Sequence, residues 1–482
     1  MLRSPRRGRM ALFAAGVGAI ALLLAAVFWR TGAAPWLQAA TATKGATAQP
    51  TAVPSTPAAA VATPDISAGT TPSPGPTRVN PNTTQLVDDG KVIFRYDTFG
   101  DEAFWGGALK LNQAILGSSQ GGTGQGVSPK TALDVGLKVD MDALPASLVQ
   151  QLKANQVNLD DPATTVSLLK LNSVVGVRGL FDGQGNLVSM GITCALCHAT
   201  VDDALSPGIG HRRDGWANRD LNVGKIISLS PDLTPVAQLL GTDVATVQQV
   251  LAAWGPGKFD AALAVDGKGF TPDGKTAATL IPPAFGMAGQ NLHTYTGWGS
   301  VPYWNAFVAV LEMHGSGRFF DPRLNNPDKY PVAVNSGEWN TNNQPDLISS
   351  KLPALQAYQL SLPAPTPAAG SFDAAAATRG EALFTGKAKC SSCHTLPLTS
   401  EPGWPIHTGA EIGIDEFQAS RSPENGYRTG LLKGLWTHTK GGFYHDGRFA
   451  TLNDVVNHYN AVFGLDLTSE EMNDLVEYLK SQ

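Results

Sequence analysis

The chain carries two copies of the pattern Cys-x-x-Cys-His: Cys194-Ala195-Leu196-Cys197-His198 and Cys390-Ser391-Ser392-Cys393-His394. Together they use all four cysteines. Two thiols at this spacing can form thioethers to one haem, and the adjoining imidazole can ligate its iron, so the pattern suits covalent c-type haem attachment. A zinc centre would draw the four thiolates together, and a disulfide needs no following histidine. The sequence therefore predicts two covalently bound c-type haems. Cys194, Cys197, Cys390 and Cys393 are the attachment points, and His198 and His394 are the proximal iron ligands.

Haem of this type is attached outside the cytoplasm, and the N-terminus fits that. Arg3, Arg6, Arg7 and Arg9 precede an apolar run from Ala11 to Phe28. A basic segment followed by an apolar one reads as an export signal, and this run is long enough to cross a membrane once. Positive charge ahead of it predicts a cytoplasmic N-terminus and an exported remainder. The expectation is a periplasmic protein tethered to the inner membrane by its N-terminal helix, or secreted after cleavage in the Ala-rich stretch near Leu37. Residues 31–82 are rich in Ala, Thr, Pro and Ser and read as an extended tether. The net charge of −5 and the charged fraction of 16% argue against nucleic-acid binding.

The elements that must position the haems can be read in part. Helical patterning spans 143–152, 162–171 and 243–254, the last with Val244, Val247, Val250 and Leu251 on one face. The turn cluster Asp182-Gly183-Gln184-Gly185-Asn186 separates two short strands just before the first motif. Val92 to Phe104 reads as an opening strand or packed loop. Helices are expected near 302–313 and 349–356. Ser371 or Asp373 can cap a helix running to Phe384, with Gly380 one turn before Phe384. A capping box at Thr468 and Glu471 opens a terminal helix striped by Met472, Leu475, Val476 and Leu479. The expected fold is mainly α, with two cytochrome c-type haem domains. Its parts are a signal or anchor at 1–30, a linker at 31–82, an N-terminal haem domain enlarged by loop-rich insertions at 83–362, a linker at 363–370, and a C-terminal cytochrome c domain at 371–482.

The last 110 or so residues resemble the bacterial di-haem cytochrome c peroxidase and MauG-like superfamily. The matching pieces are Arg379 to Phe384, Cys390 to His394, Tyr427-Arg428-Thr429, and Phe443-Tyr444-His445-Asp446-Gly447-Arg448 running on to His458-Tyr459. Where that family commonly has Thr-Pro-x-Leu-Arg-Asn, this chain reads Thr429-Gly430-Leu431-Leu432-Lys433-Gly434, and the span between motifs is longer. The resemblance implies an oxidoreductase that reduces hydrogen peroxide, with electrons passed from the second haem to the first. It implies a small periplasmic cytochrome or cupredoxin as electron donor, and a homodimer. A pure electron-transfer cytochrome, or an oxygenase that uses dioxygen, are the competing readings.

The sixth iron ligands decide between them. For the second haem, the resemblance aligns Tyr459 with the distal ligand. His458 competes, but neighbours on a helix point about 100° apart, so only one can face the iron. Met472 reads as core. For the first haem, His211 stands thirteen residues after His198, as does a displaceable histidine in the family. Beside Arg212, Arg213 and Asp214 it also reads as a solvated or propionate-binding group. Met313, His314 and Met287 are further candidates. His211 and His445 are the candidate catalytic residues, while the acid-base group needed to cleave peroxide is left to an unassigned carboxylate or amide in the insertions. His293 and His407 read as structural or exposed. Trp216, Trp298, Trp304 and Trp436 are candidates for the tryptophan the family keeps between its haems. Asn218 and Asn222 fall where the peroxidases place a calcium ligand.

Overall fold

Two helix crossings, one in each half, organise the chain. The computed structural model describes residues 81–482, so the anchor and most of the linker lie outside the described residues. Among those described, no helix is long and apolar enough to cross a membrane.

The first crossing pairs the opening helix Pro81–Tyr96 with Leu352–Ser361. This corrects the expectation of a strand or loop from Val92. Val92, Ile93 and Phe94 are apolar in succession, which looks strand-like. Yet Phe94 is fully buried while Val92 is 59% exposed, and it is Val87, Gly90 and Phe94 that share the packed face. At the crossing, a Cβ added to Gly90 would lie 2.0 Å from the Ala354 carbonyl oxygen. The second crossing repeats the device. Asp373 caps Ala374–Thr385 by accepting from the Ala375 and Ala376 amides, and this helix packs on Ser469–Ser481. There a Cβ on Gly380 would lie 2.1 Å from the Asp474 carbonyl oxygen, and Arg379 donates to the Asp474 carboxylate at 2.6 Å.

Between the crossings, Val177–Phe181 pairs antiparallel with Leu187–Ile192. The Asp182 carboxylate ties the turn by accepting from the Gln184 and Asn186 amides. The second strand runs directly into the first motif. Val244–Trp254, capped by Asp243, buries Val247, Val250, Leu251 and Trp254 beneath it. Every sheet among the described residues has only two strands, so helices and long loops carry most of the packing. Val301–Phe307 continues into a wider π-turn at Val308–Glu312, the kind of irregularity that often marks a functional site.

One buried ion cluster fastens the second half to the first. Arg421, at the end of Phe417–Arg421, is fully buried. Its Nε donates to Asp266 Oδ2 at 2.7 Å, both Nη atoms donate to Asp260 Oδ2 at 3.2 Å, and Nη1 also reaches the Ala277 carbonyl at 3.2 Å. Burial pushes the Asp260 carboxyl up to about 6 against the pull of Arg421. Removing one partner of such a cluster strands the others in a dry interior, at about 3–5 kcal/mol.

Arg421→Ala is therefore expected to lower unfolding stability by about 3–5 kcal/mol in urea titration. Gly380→Ala should cost about 1–3 kcal/mol by overpacking the crossing. Gly183→Ala, where an added Cβ meets nothing within 4 Å, should leave the midpoint unchanged.

Candidate haem sites

The first motif sits where the hairpin ends. Cys194 begins a single turn, Ala195–His198, and the chain then pairs Ala199–Val201 with Arg212–Asp214. Residues 215–218 strap back onto the motif: the Gly215 amide donates to the His198 carbonyl at 2.8 Å and the Asn218 amide to that of Cys197 at 2.9 Å. His198 Nδ1 lies 3.1 Å from the Pro282 carbonyl. That contact fixes the proton on Nδ1 and leaves Nε2 free to ligate a metal. Burial lowers the His198 pKa to about 4, so the ring is neutral near pH 7, the form that binds iron. Burial pushes both thiols, Cys194 and Cys197, up to about 12.

Cys194, Cys197 and His198 line a cavity of about 340 Å³, walled mainly by apolar side chains. Both halves of the chain contribute: Trp298, Trp304 and Met313 from the first, Arg428, Leu431 and His438 from the second. Glu312, the last residue of the π-turn, also lines it. Its Oε1 is buried without a hydrogen-bond partner. Burial raises its pKa well above the ordinary carboxyl range, and the charges of Glu338 and Asp260 add to this. Beside the cavity the three guanidinium nitrogens of Arg219 are buried with no well-formed hydrogen bond. Their charge is felt by Tyr295 and His438 in the cavity wall. A haem fits this set on chemical grounds: two thiols, a free imidazole nitrogen, an apolar chamber, and the Arg219 guanidinium able to take a carboxylate.

The second motif lies in the C-terminal half. Cys390–Ser392 forms one 3₁₀ turn, and His394 Nδ1 lies 3.1 Å from the Thr399 carbonyl, the same arrangement as at His198. The Phe384 ring stands 6.3 Å from the His394 ring. Tyr459, in Leu452–Phe463, is partly buried within electrostatic reach of Cys393 and Cys390, and burial raises its phenol pKa. The two motifs do not converge on one ion. Among the described residues the one metal-like group is Cys393, Glu401 and His407, and Glu401 is already bound to His407 at 2.6 Å.

Trp216 meets Trp436 edge to face at 5.5 Å. Trp216 belongs to the strap over the first motif. Trp436 comes from the second half and donates from Nε1 to the Pro365 carbonyl at 3.0 Å. Arg213 lies 4.7 Å over the Trp216 ring.

Among curated proteins, the chain is 32% identical to "Cytochrome-c peroxidase IdrP1" of Denitromonas iodatirespirans, over 22% of this chain and 40% of that protein. The similarity to that cytochrome-c peroxidase extends over 151 residues. It spans about two fifths of the length of that curated relative. No family model matches. Among solved structures, a MauG-like protein associated with microbial copper homeostasis is 17% identical, with a TM-score of 0.29 over 48% of this chain and 80% of its own. Hydrazine synthase of Kuenenia stuttgartiensis is 18% identical, with a TM-score of 0.25 over 45% and 76%.

Several side chains singled out in the sequence stand elsewhere. His211 stands outside the cavity: its side chain is 52% exposed and its Nδ1 pairs with Asp142 at 2.8 Å. The strand Arg212–Asp214 pairs back onto the motif, which carries His211 to the surface. His458 Nε2 is engaged with the Ile412 carbonyl at 2.8 Å, one helix position from the partly buried Tyr459. His314 turns away from the cavity at φ 61° and lays its ring on Phe104 at 3.7 Å, which leaves Met313 and Glu312 in the wall. His445 is buried but stacks on Tyr427 at 5.2 Å and does not line the first cavity. His293 and Met287 do line it. Met472 packs in the C-terminal core. Asn218 donates to the Gly136 carbonyl and Asn222 caps Val223–Ile227, so both amides offered for calcium are engaged. Glu312 is the residue sequence reasoning missed. Its signal was a single acid closing the apolar run Val308-Ala309-Val310-Leu311.

Replacing Cys390 and Cys393 together by Ala should halve the covalent haem per chain in a pyridine haemochrome assay. His211→Ala should leave the haem spectrum of the purified protein unchanged, because that ring faces solvent.

Proposed function

We propose that this chain is an exported, membrane-tethered di-haem oxidoreductase that reduces hydrogen peroxide to water. The observation that carries the reading is the Glu312 carboxyl, whose Oε1 is buried without a hydrogen-bond partner in the wall of the cavity that holds Cys194, Cys197 and His198. A structural acid in that position would be a liability, since an unpaired buried carboxylate is costly. A proton-transfer group has reason to be there.

Haem held at each motif supplies the iron chemistry and electron storage. The chain's own residues do the rest. His198 and His394 present Nε2, oriented by the Pro282 and Thr399 carbonyls. Tyr459, partly buried near Cys390 and Cys393, would hold the iron of a haem at the second site together with His394, which would close that site to substrate and favour electron transfer there. At the first site Glu312 takes a proton from one peroxide oxygen and returns it to the other as the O–O bond breaks. The aliphatic and aromatic walls exclude water. Trp436 and Trp216 bridge the two sites, so electrons that arrive at the second can reach the first. A small periplasmic cytochrome or cupredoxin fits as the donor. The overall balance is one peroxide, two electrons and two protons giving two waters.

Glu312→Gln keeps the volume and removes the base. Peroxide turnover with a reduced cytochrome donor should fall about 10²–10⁴-fold, with haem content unchanged. In the parent protein, turnover should rise with pH through an ionisation above the ordinary carboxyl range, because the carboxylate is the base and burial delays its formation. The Gln variant should lose that limb of the profile. Undiminished turnover in the variant would contradict the assignment.

A further inference from the structure

A hydrogen-bonded line of side chains leaves the first cavity in a direction the proposed mechanism does not use. Trp298 lines the cavity. Its Nε1 donates to the Tyr303 hydroxyl at 3.0 Å. That hydroxyl donates in turn to Asp321 Oδ2 at 2.5 Å. Asp321 is only 3% exposed and receives Arg323 through Nε at 2.9 Å and through one Nη at 2.8 Å. Although burial works against it, hydrogen bonds from Arg323 and Tyr303 hold the Asp321 carboxyl below its ordinary range. Arg323 also lies 5.7 Å over the Tyr303 ring, and its own side chain is 44% exposed. One end of the line thus meets the cavity, and the other stands one side chain from solvent.

We propose that Tyr303 is a second redox site, a tyrosine that gives an electron to the first cavity through Trp298 while its proton crosses to Asp321. The inference rests on the peroxide reading above. In this step the Tyr303 O–H bond breaks and an O–H bond forms on Asp321 Oδ2. One electron passes to peroxide-oxidised haem, which is reduced by one equivalent. A neutral tyrosyl radical and a protonated Asp321 remain. Moving proton and electron together avoids a phenol radical cation, a far stronger acid than a carboxyl group. The route gives oxidising equivalents an exit toward solvent, separate from the Trp216–Trp436 contact.

The same cluster holds an internal contrast. Tyr330 stands 6.3 Å from Trp298 and is almost fully buried. Its hydroxyl has no hydrogen-bond partner, so it has nowhere to send a proton. Packing near the cavity is shared by both tyrosines; the proton acceptor belongs to Tyr303 alone.

The test uses the haem-loaded protein, mixed with hydrogen peroxide and freeze-quenched, read by EPR alongside the optical haem spectrum. The expected result is a tyrosyl radical signal that narrows when the protein carries ring-deuterated tyrosine. It should be lost in Tyr303→Phe and kept in Tyr330→Phe. Asp321→Asn keeps the phenol but removes the acceptor, and should lose the signal as well, which covers the case of a poorly folding Tyr303 variant. A haem spectrum that responds to peroxide with no tyrosyl signal, or with a signal undiminished in Tyr303→Phe or Asp321→Asn, overturns the inference and leaves the peroxide reading standing. A haem spectrum that peroxide does not change overturns both.

Discussion

The contact on which the two sites depend is the hydrogen bond from a motif histidine to a backbone carbonyl. His198 meets Pro282 and His394 meets Thr399, each at 3.1 Å. An imidazole can bind iron through either nitrogen, and in water it samples both tautomers. The carbonyl fixes one proton and one ring orientation, so Nε2 faces outward in both motifs. The contact also explains the architecture around it. Pro282 is 84 residues from His198, so the long insertion has to fold back over the first motif before its ligand can be set. Thr399 is five residues from His394, so the second motif is set locally.

That difference separates two styles of packing built on one device. Each half is closed by a crossing of first and last helices at a glycine, Gly90 against Ala354 and Gly380 against Asp474. The C-terminal half needs little more than this crossing and the loops between. In the first half, the insertion adds an aromatic cluster around Trp298 and Phe307 and a buried acid at Glu312. The second half completes the chamber with Arg428, Leu431 and His438, and Arg421 anchors it there through Asp260 and Asp266. The cavity is thus a product of both halves, and a change at the Arg421 cluster bears on its shape as well as on stability.

Much of this was legible in the sequence where the signal is local. The cysteine-histidine motifs, the caps at Asp373 and Thr468, the hairpin turn at Asp182 and the stripe at Val247 to Leu251 all depend on residues close in the chain. The opening helix was misread because Val92-Ile93-Phe94 is apolar on consecutive residues, while the face that packs is spaced through Val87, Gly90 and Phe94. The distal groups were harder still. His211 attracted attention by its distance from the motif, yet one short strand pairing carries it to the surface. Glu312 lies 114 positions beyond His198, and only the fold brings it into the same chamber. Tyr459 and His458 are neighbours on one helix and point apart, and the Nε2 of His458 engages the Ile412 carbonyl.

In the proposed function the two irons would differ, one open to substrate in the first chamber and one closed by Tyr459. Low-temperature EPR of the purified protein during stepwise reduction tests it most directly. The account predicts a high-spin ferric signal, present at the start or appearing at half-reduction, from the site at His198. Two low-spin ferric signals that vanish in turn, with no high-spin species at any stage, would contradict it and leave an electron-transfer cytochrome.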